Sequence, residues 1–402
     1  MHACFICDEY PPAPHGGTGS SYCDLAEGLV AAGHVATVVG LYGPKTMAQG
    51  RAVDEQINGV RVLRLPGVPR WLGYRLGMLG NRYKLTRCLA GEHRKIRFDV
   101  IEASDYGGWL RFGGPPGVPT VIRIRGSNLF FDTELQRPGK QFEHLLERRA
   151  LARADHLAAV SRYAAERTLK FCGLEQRACA VIPNAVDTAL FSPAGQAHTV
   201  PGLVVFVNSI NPKKGIEQLI GAMNIVCQTH PEAHLVAIGQ DTQKRVEGRS
   251  YVEWLREQLR PEFRARVAFA GRMPRDSGVL GYLRKANVCC YPSHMETFGI
   301  AAVEAMAVGK PTIYSRTGPG PEVIEDGVSG LLCDPFDPED IAAKICALLD
   351  NQVLAAQLGQ GARARVLARF NKKDWIGRNL AYYSRCLEKP GKPSSPRPFA
   401  SA

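Results

Sequence analysis

No run of about 18 consecutive apolar residues, the length a bilayer-spanning helix needs, occurs in this chain. Its best candidate, Gly28 to Pro44, is broken in the middle by Gly33 and His34, so a spanning helix is excluded. A secretory leader is lacking as well. The start carries no Lys or Arg and reaches Asp8 and Glu9 before any long apolar core, so the chain is expected in the cytoplasm. The twelve cysteines show no paired metal-ligand spacing, and neither a metal site nor a disulfide framework is expected. There is no repeat of fixed period, no G-x-G-x-x-G after the first strand, and no zinc-finger, RNP or basic-zipper pattern. Solenoids, nicotinamide dehydrogenases and nucleic acid partners drop out on those grounds.

What is present suffices for an ordinary core. Hydrophobic residues make up 45% and charged residues 22% of 402, which at roughly 150 residues per domain predicts two or three domains. The formal charge is +12, and it is unevenly placed. From Arg61 to Arg97 ten Lys and Arg face one acid, Glu92, a local net of +9. Arg70, Arg75, Arg82 and Arg87 alternate there with Trp71, Leu72, Tyr74, Leu76 and Tyr83. Such a segment reads as a basic amphipathic surface for anionic lipid or an anionic acceptor, or as a solvated helix pair with long basic side chains.

Apolar runs and glycine punctuation set the order of elements. A short strand at Ala3 to Cys7 leads through a Pro/Gly loop into a helix from about Thr18 to Ala32, which Gly33 stops before a buried strand at Val35 to Gly40. Strand, glycine loop, helix, strand implies a parallel sheet, and the alternation continues to about Phe191. Residues Ser192 to Pro201 are small, polar or proline and read as a linker. A second alternation opens at Leu203 to Val207 and runs to about 370, a further helix spans Asp374 to Leu387, and the Pro/Ser-rich residues 389–402 read as a disordered tail. The predicted class is α/β, two Rossmann-like doubly wound domains facing a central cleft, where strand carboxyl ends bind ligands.

Chemistry concentrates at those strand ends. Gly16, Gly17 and Gly19 open the first helix, as a tight turn or as a place where N–H groups approach a phosphate or sugar. Lys213 and Lys214 follow a strand and precede a helix, where an ammonium can pair with phosphate. In SHMETFGIAAVEAMAVGKP, Glu296 lies in a loop after a strand, Gly299 opens a helix, and Glu304 falls inside it, facing a cleft or solvent. A carboxylate accepts from two vicinal hydroxyls, as on a ribose, while the N–H groups of Phe298, Gly299 and Ile300 suit an anion.

These motifs, with PHGGTG, DVIEASDYGG, VIPNAVDTALFSP, NPKKG and GPGPEVIEDGVSGLL, resemble the retaining glycosyltransferases of family four, which have the GT-B fold. The resemblance implies an N-terminal acceptor domain, a C-terminal domain holding a nucleotide-sugar donor, and a last helix returning to the first domain. It implies retention, no cofactor beyond the sugar nucleotide as co-substrate, and no obligatory metal. Glu304 would then bind ribose, Lys214 the diphosphate, and Glu296 would lie near the transferred sugar. Two positions depart from the pattern: Ser209 stands where the family has a diphosphate-binding Arg, and Arg125 where a His is common. Arg125 stays charged and cannot be a base, but it can stabilise a leaving diphosphate, and Lys213 can replace the missing Arg. The same departures fit a catalytically impaired nucleotide-sugar-binding paralogue acting as a scaffold. The +9 segment falls in the acceptor domain and points to an anionic acceptor, glycan, lipid-linked or small, or to peripheral binding at the inner face of the membrane.

Overall fold

The computed structural model describes residues 1–13, 16–43, 51–68, 73–193, 199–242, 245–246 and 248–388. Arg70, Trp71 and Leu72 of the basic segment, Pro14 and His15 of the first glycine loop, 194–198 of the expected linker and the expected tail lie outside the described residues. The chain forms two compact units, Met1–Pro183 with the described residues from Lys373 onward, and Asn184–Lys372. The first unit therefore ends before Phe191. Residues from Asn184 go with the second because Val186 donates to the Phe370 carbonyl (2.9 Å) and Lys372 to the Val186 carbonyl (3.1 Å). Arg363 adds hydrogen bonds to the carbonyls of Thr188 and Phe191, and this packing outweighs a polar local composition.

In the first unit, strands β1 (His2–Ile6), β2 (Val35–Tyr42), β3 (Val53–Ile57), β4 (Val60–Pro66), β5 (Val100–Ser104), β6 (Thr120–Ile124), β7 (His156–Ala159) and β8 (Ala180–Val181) make one sheet in the order β3-β4-β2-β1-β5-β6-β7-β8. All neighbours are parallel except β3 and β4. The central strands are buried on both faces, which is why they are largely apolar, with Glu102 on β5 and Arg123 on β6 as the charged exceptions. The β3–β4 hairpin replaces part of the helix pair considered for the basic segment. Its turn is Asn58-Gly59, both at positive φ (48° and 81°), a two-residue connection that suits twisted antiparallel strands.

The second unit holds β9 (Leu203–Val207), β10 (His234–Ile238), a small ribbon of β11 (Arg245–Val246) and β12 (Arg249–Ser250), then β13 (Val267–Gly271), β14 (Val288–Tyr291), β15 (Thr312–Ser315) and β16 (Leu331–Cys333). The main sheet is parallel, in the order β13-β10-β9-β14-β15-β16. In each sheet the chain leaves a central strand to one side and later returns to the other. The reversal falls between β1 and β5 in the first unit and between β9 and β14 in the second, the place where doubly wound sheets open a crevice at their carboxyl ends.

One buried polar cluster ties the last helix, Lys372–Glu388, to the first sheet. Arg123 on β6 donates to both oxygens of Glu102 on β5 (2.6 and 2.8 Å) and to Asn379 Oδ1 (2.7 Å), while the Tyr383 hydroxyl donates to Glu102 Oε2 (2.7 Å). Arg123 and Glu102 are fully buried. Burial pushes the Glu102 carboxyl up, and the Arg123 charge and hydrogen bonds more than reverse this, so it is held below the usual carboxylate range. Arg123→Ala would leave an uncompensated buried carboxylate and is expected to cost about 3–5 kcal/mol, read as a lowered urea midpoint, with faster amide exchange in the last helix.

Candidate functional site

At the reversal of the second sheet the loops after β9 and β14 are locked together. Gly215 sits at φ +69°, and a Cβ there would collide with the Pro292 carbonyl, so only glycine lets the loop after β9 approach β14 so closely. Met295 also donates its N–H to the Lys213 carbonyl (3.2 Å). The result brings Lys214 onto Glu296: its ammonium pairs with Oε1, which also accepts from Asn208 Nδ2 at 3.3 Å. Both side chains are largely withdrawn from solvent (12% and 15% exposed), so the pair is stronger than a surface one. Lys213 and Lys214 form the one-turn 3-10 segment Pro212–Lys214 ahead of the helix Ile216–Thr229.

Glu304 lies on the helix Ile300–Ala307 and is buried, which settles its orientation away from solvent. Its Oε1 pairs with the Nε of Arg275, from the turn after β13, whose guanidinium covers the ring of buried Phe191 at 5.2 Å. Gly299 precedes this helix at φ +86°, and a Cβ there would strike the Tyr314 hydroxyl. That hydroxyl donates to the Phe298 carbonyl (3.0 Å), while the buried Phe298 ring meets Phe370 edge-on at 5.5 Å. The backbone of Phe298, Gly299 and Ile300 is thus fixed at the helix start. Arg275 carried no sequence signal beyond its place after a strand end.

In the first unit, Gly16 and Gly17 begin the helix Gly17–Ala31, with Gly16 as its N-cap. The N–H groups of Gly16 and Gly19 donate to Glu9 (2.8 and 3.0 Å), so a carboxylate from the same loop occupies this helix start. Arg125 follows β6 directly. It is buried, donates from Nη1 to Ser21 Oγ (2.8 Å) and covers the ring of Tyr22 at 4.7 Å. Its backbone is held by Asp105, which accepts from the N–H groups of Arg125 (2.9 Å) and Gly126 (3.3 Å). Glu147, fully buried on the helix Gln141–Arg153, accepts from the N–H groups of Gly107, Asn128 and Leu129 and so ties together the loops after β5 and β6.

The basic segment is divided between structure and surface. Arg64 is buried against Glu55 and the carbonyls of Tyr10 and Pro11, and Arg82 against the Gly107 carbonyl and the Trp109 ring. These two belong to the interior, contrary to a uniformly solvated or lipid-facing segment, because loop carbonyls there need donors. Arg61 pairs with Asp54 and Glu92, and Lys84 caps the Pro66 carbonyl. Arg75, Arg87, Arg94 and Arg97 are exposed. Leu76 and Tyr83 are 64% and 56% exposed on the same helix, Tyr74–Lys95.

Two parallel doubly wound units, each with charged loops at its sheet reversal, define the GT-B class of glycosyltransferase. The Glycosyltransferase Family 4 model matches residues 15–190 and the Glycosyl transferases group 1 model residues 192–365. The chain belongs to this glycosyltransferase family. It is 27% identical over 402 aligned positions to a glycogen synthase of Mycobacterium tuberculosis, covering 93% of this chain and 92% of that one. A D-inositol 3-phosphate glycosyltransferase of Acidothermus cellulolyticus is 32% identical over 280 positions, 67% of this chain and 61% of the relative. Among solved structures, sucrose-phosphate synthase from Thermosynechococcus elongatus superposes with a TM-score of 0.79 at 24% identity, covering 96% of this chain and 99% of that one. Anabaena HepE in complex with UDP and glucose gives 0.74 at 20%, covering 95% and 99%.

Asp105 has a measurable consequence. Burial pushes its carboxyl up to about 7, the N–H groups of Arg125 and Gly126 pull it down, and the Glu147 charge pushes it up. The folded state then binds more protons than the unfolded state between the ordinary carboxyl range and pH 7, so this group makes stability fall as pH rises through that window. Denaturant midpoints between about pH 5 and 7 should decline less in Asp105→Asn than in the wild type.

Proposed function

We propose that this glycosyltransferase moves a sugar from a nucleoside diphosphate donor to an acceptor hydroxyl with retention at the anomeric carbon and without an obligatory metal ion. The observation that carries the reading is the Lys214–Glu296 pair at the reversal of the second sheet, beside a helix start that presents buried Glu304. Lys214 and Lys213 take the diphosphate, Glu304 the ribose hydroxyls, and Glu296 lies beside the transferred sugar. Backbone N–H groups of Phe298, Gly299 and Ile300 add partial positive charge. Solved neighbours support a sugar-nucleotide donor, since the HepE structures contain UDP with glucose or UDP-glucose.

In the reaction the bond from the anomeric carbon to the diphosphate oxygen breaks as the acceptor oxygen bonds on the same face, and the acceptor proton passes to the leaving oxygen. No protein nucleophile takes part. Arg125 stabilises the negative charge that develops, in keeping with a guanidinium that cannot serve as a base. Gly16 contributes a donor once Glu9 yields it, together with Gly17 at the first position of the helix.

A thermal-shift screen with UDP, GDP, ADP and TDP tests the donor. The right nucleotide at 100 times its Kd adds about 2.7 kcal/mol, and no shift with any of them would refute the assignment. Lys214→Ala and Glu304→Ala should each lower kcat/KM at least tenfold, about 1.4 kcal/mol of transition-state stabilisation, with EDTA leaving the wild-type rate unchanged. The anomeric coupling constant of the product reports retention.

The acceptor belongs to the first unit, and the exposed face of the helix Tyr74–Lys95 suits an anionic acceptor or membrane. Arg87 covers the Tyr83 ring at 6.0 Å, Tyr83 meets Phe112 edge-on at 6.5 Å, and Arg111 covers Phe112 at 5.2 Å, so cations and exposed rings alternate as at an anionic interface. At about 1 kcal/mol per charge near an anionic surface, Arg75→Gln/Arg87→Gln/Arg94→Gln should lower partitioning into phosphatidylserine vesicles by about two orders of magnitude and leave nucleotide affinity unchanged. Equal partitioning of variant and wild type would remove the membrane reading.

A further inference from the structure

The Arg275–Glu304 pair joins two residues of unequal exposure. The Glu304 side chain is 6% exposed and that of Arg275 38%, so the carboxylate is nearly dry while its cation reaches solvent. A carboxylate withdrawn this far takes up a proton unless a positive charge compensates it. Protonated, it offers one O–H donor and loses acceptor capacity, which suits a pair of sugar hydroxyls poorly. Any function of Glu304 as a double acceptor therefore depends on a cation held against it.

Arg275 is held in that place by its own surroundings. It opens a single turn, Arg275–Val279, closed by an i to i+5 hydrogen bond from the Val279 N–H to the Pro274 carbonyl (3.0 Å). Such one-turn irregularities re-aim a side chain where a regular helix would carry it elsewhere. The guanidinium lies over Phe191, which is fully buried and has its own carbonyl held by Arg363 Nη1 at 2.9 Å. A planar cation on a fixed ring keeps its direction in a way a flexible ammonium does not.

We infer that Arg275 is a positioning residue for the donor: it holds the Glu304 carboxylate in the orientation that accepts from the ribose hydroxyls, and it thereby sets the preference for ribonucleotides. This rests on the assignment of Glu304 to the ribose. A cation acting on the diphosphate would strengthen ribo- and dideoxynucleotides equally, whereas a cation acting through Glu304 affects only nucleotides that carry the hydroxyls.

The test measures, by calorimetry, the affinities of UDP, ADP and GDP and of their 2′,3′-dideoxy forms for wild type, Arg275→Ala, Arg275→Lys and Glu304→Gln. For the base that binds, the wild type should prefer the ribo form at least tenfold. Arg275→Ala should reduce that preference to about twofold while changing dideoxy affinity less than twofold, and Arg275→Lys should recover part of it. An undiminished preference in Arg275→Ala, or equal weakening of both forms, overturns the inference. An undiminished preference in Glu304→Gln overturns instead the ribose assignment on which it rests, and no binding of any of the three ribonucleotides overturns the ribonucleotide preference inferred here. Unchanged thermal midpoints establish that the variants are folded, and because Arg275 stands at the surface, Arg275→Gln replaces Arg275→Ala should the latter unfold.

Discussion

The buried pair of Arg123 and Glu102 is the interaction on which the first unit depends. Taking both charges out of water costs several kcal/mol per ion before any attraction is counted, so the pair needs further partners. Asn379 and Tyr383 supply them from the far end of the chain to Arg123 Nη2 and Glu102, while Arg123 Nη1 is buried without a hydrogen bond. That is why the last helix belongs to the first unit although the second unit intervenes in sequence. The same strand carries the consequence to the site. The Arg123 carbonyl accepts from the Asp105 N–H (3.1 Å), and the Asp105 carboxylate accepts from the N–H groups of Arg125 and Gly126. Arg123 and Arg125 lie two residues apart on one face of β6 and its extension, one spent on structure and the next presented at the strand end.

The second unit meets a related problem at its strand ends. Its two candidate acids, Glu296 and Glu304, are poorly solvated, and each has its own cation, Lys214 and Arg275. Charges paired in this way are already held in place before any ligand arrives. Glycines make the arrangement possible. Gly215 lets the Lys214 loop close on β14, and Gly299 lets the Glu304 helix start beneath the Tyr314 hydroxyl.

Much of this was legible beforehand. The strands at Leu203–Val207 and Val288–Tyr291 match their apolar runs, because parallel strands buried on both faces favour apolar residues, and Thr120–Ile124 departs from this only in Thr120 and in Arg123, whose charge is paired with Glu102. The spacing from Glu296 to Glu304 marked a loop acid followed by a helix acid, and the lysines before Gly215 marked the facing loop. The β3–β4 hairpin was also written in the sequence, as Asn58-Gly59 between short strands, but the density of Arg around it drew the reading toward helices. Arg275, Glu9, Glu147 and Asp105 were not legible, since each acts through a partner distant in sequence or on a backbone N–H, and no local pattern records either. The boundary at Pro183 escaped for the same reason: Val186 is tied to the second unit by Phe370 and Lys372.

Charge shows how far composition alone can mislead. A net of +9 over Arg61 to Arg97 suggests one continuous basic surface. Yet Arg64 and Arg82 serve loop carbonyls in the interior, Arg61 balances Asp54 and Glu92, and Lys84 satisfies Pro66. A guanidinium has five donors in a rigid plane, so it can fill several carbonyls of an irregular loop at once, and loops after parallel strands have many such carbonyls. Part of the positive excess is therefore the cost of building long loops at the sheet's carboxyl edge. The charge that remains exposed is a smaller set, most of it on one helix, where it alternates with exposed Leu76 and Tyr83 rather than forming one continuous basic surface.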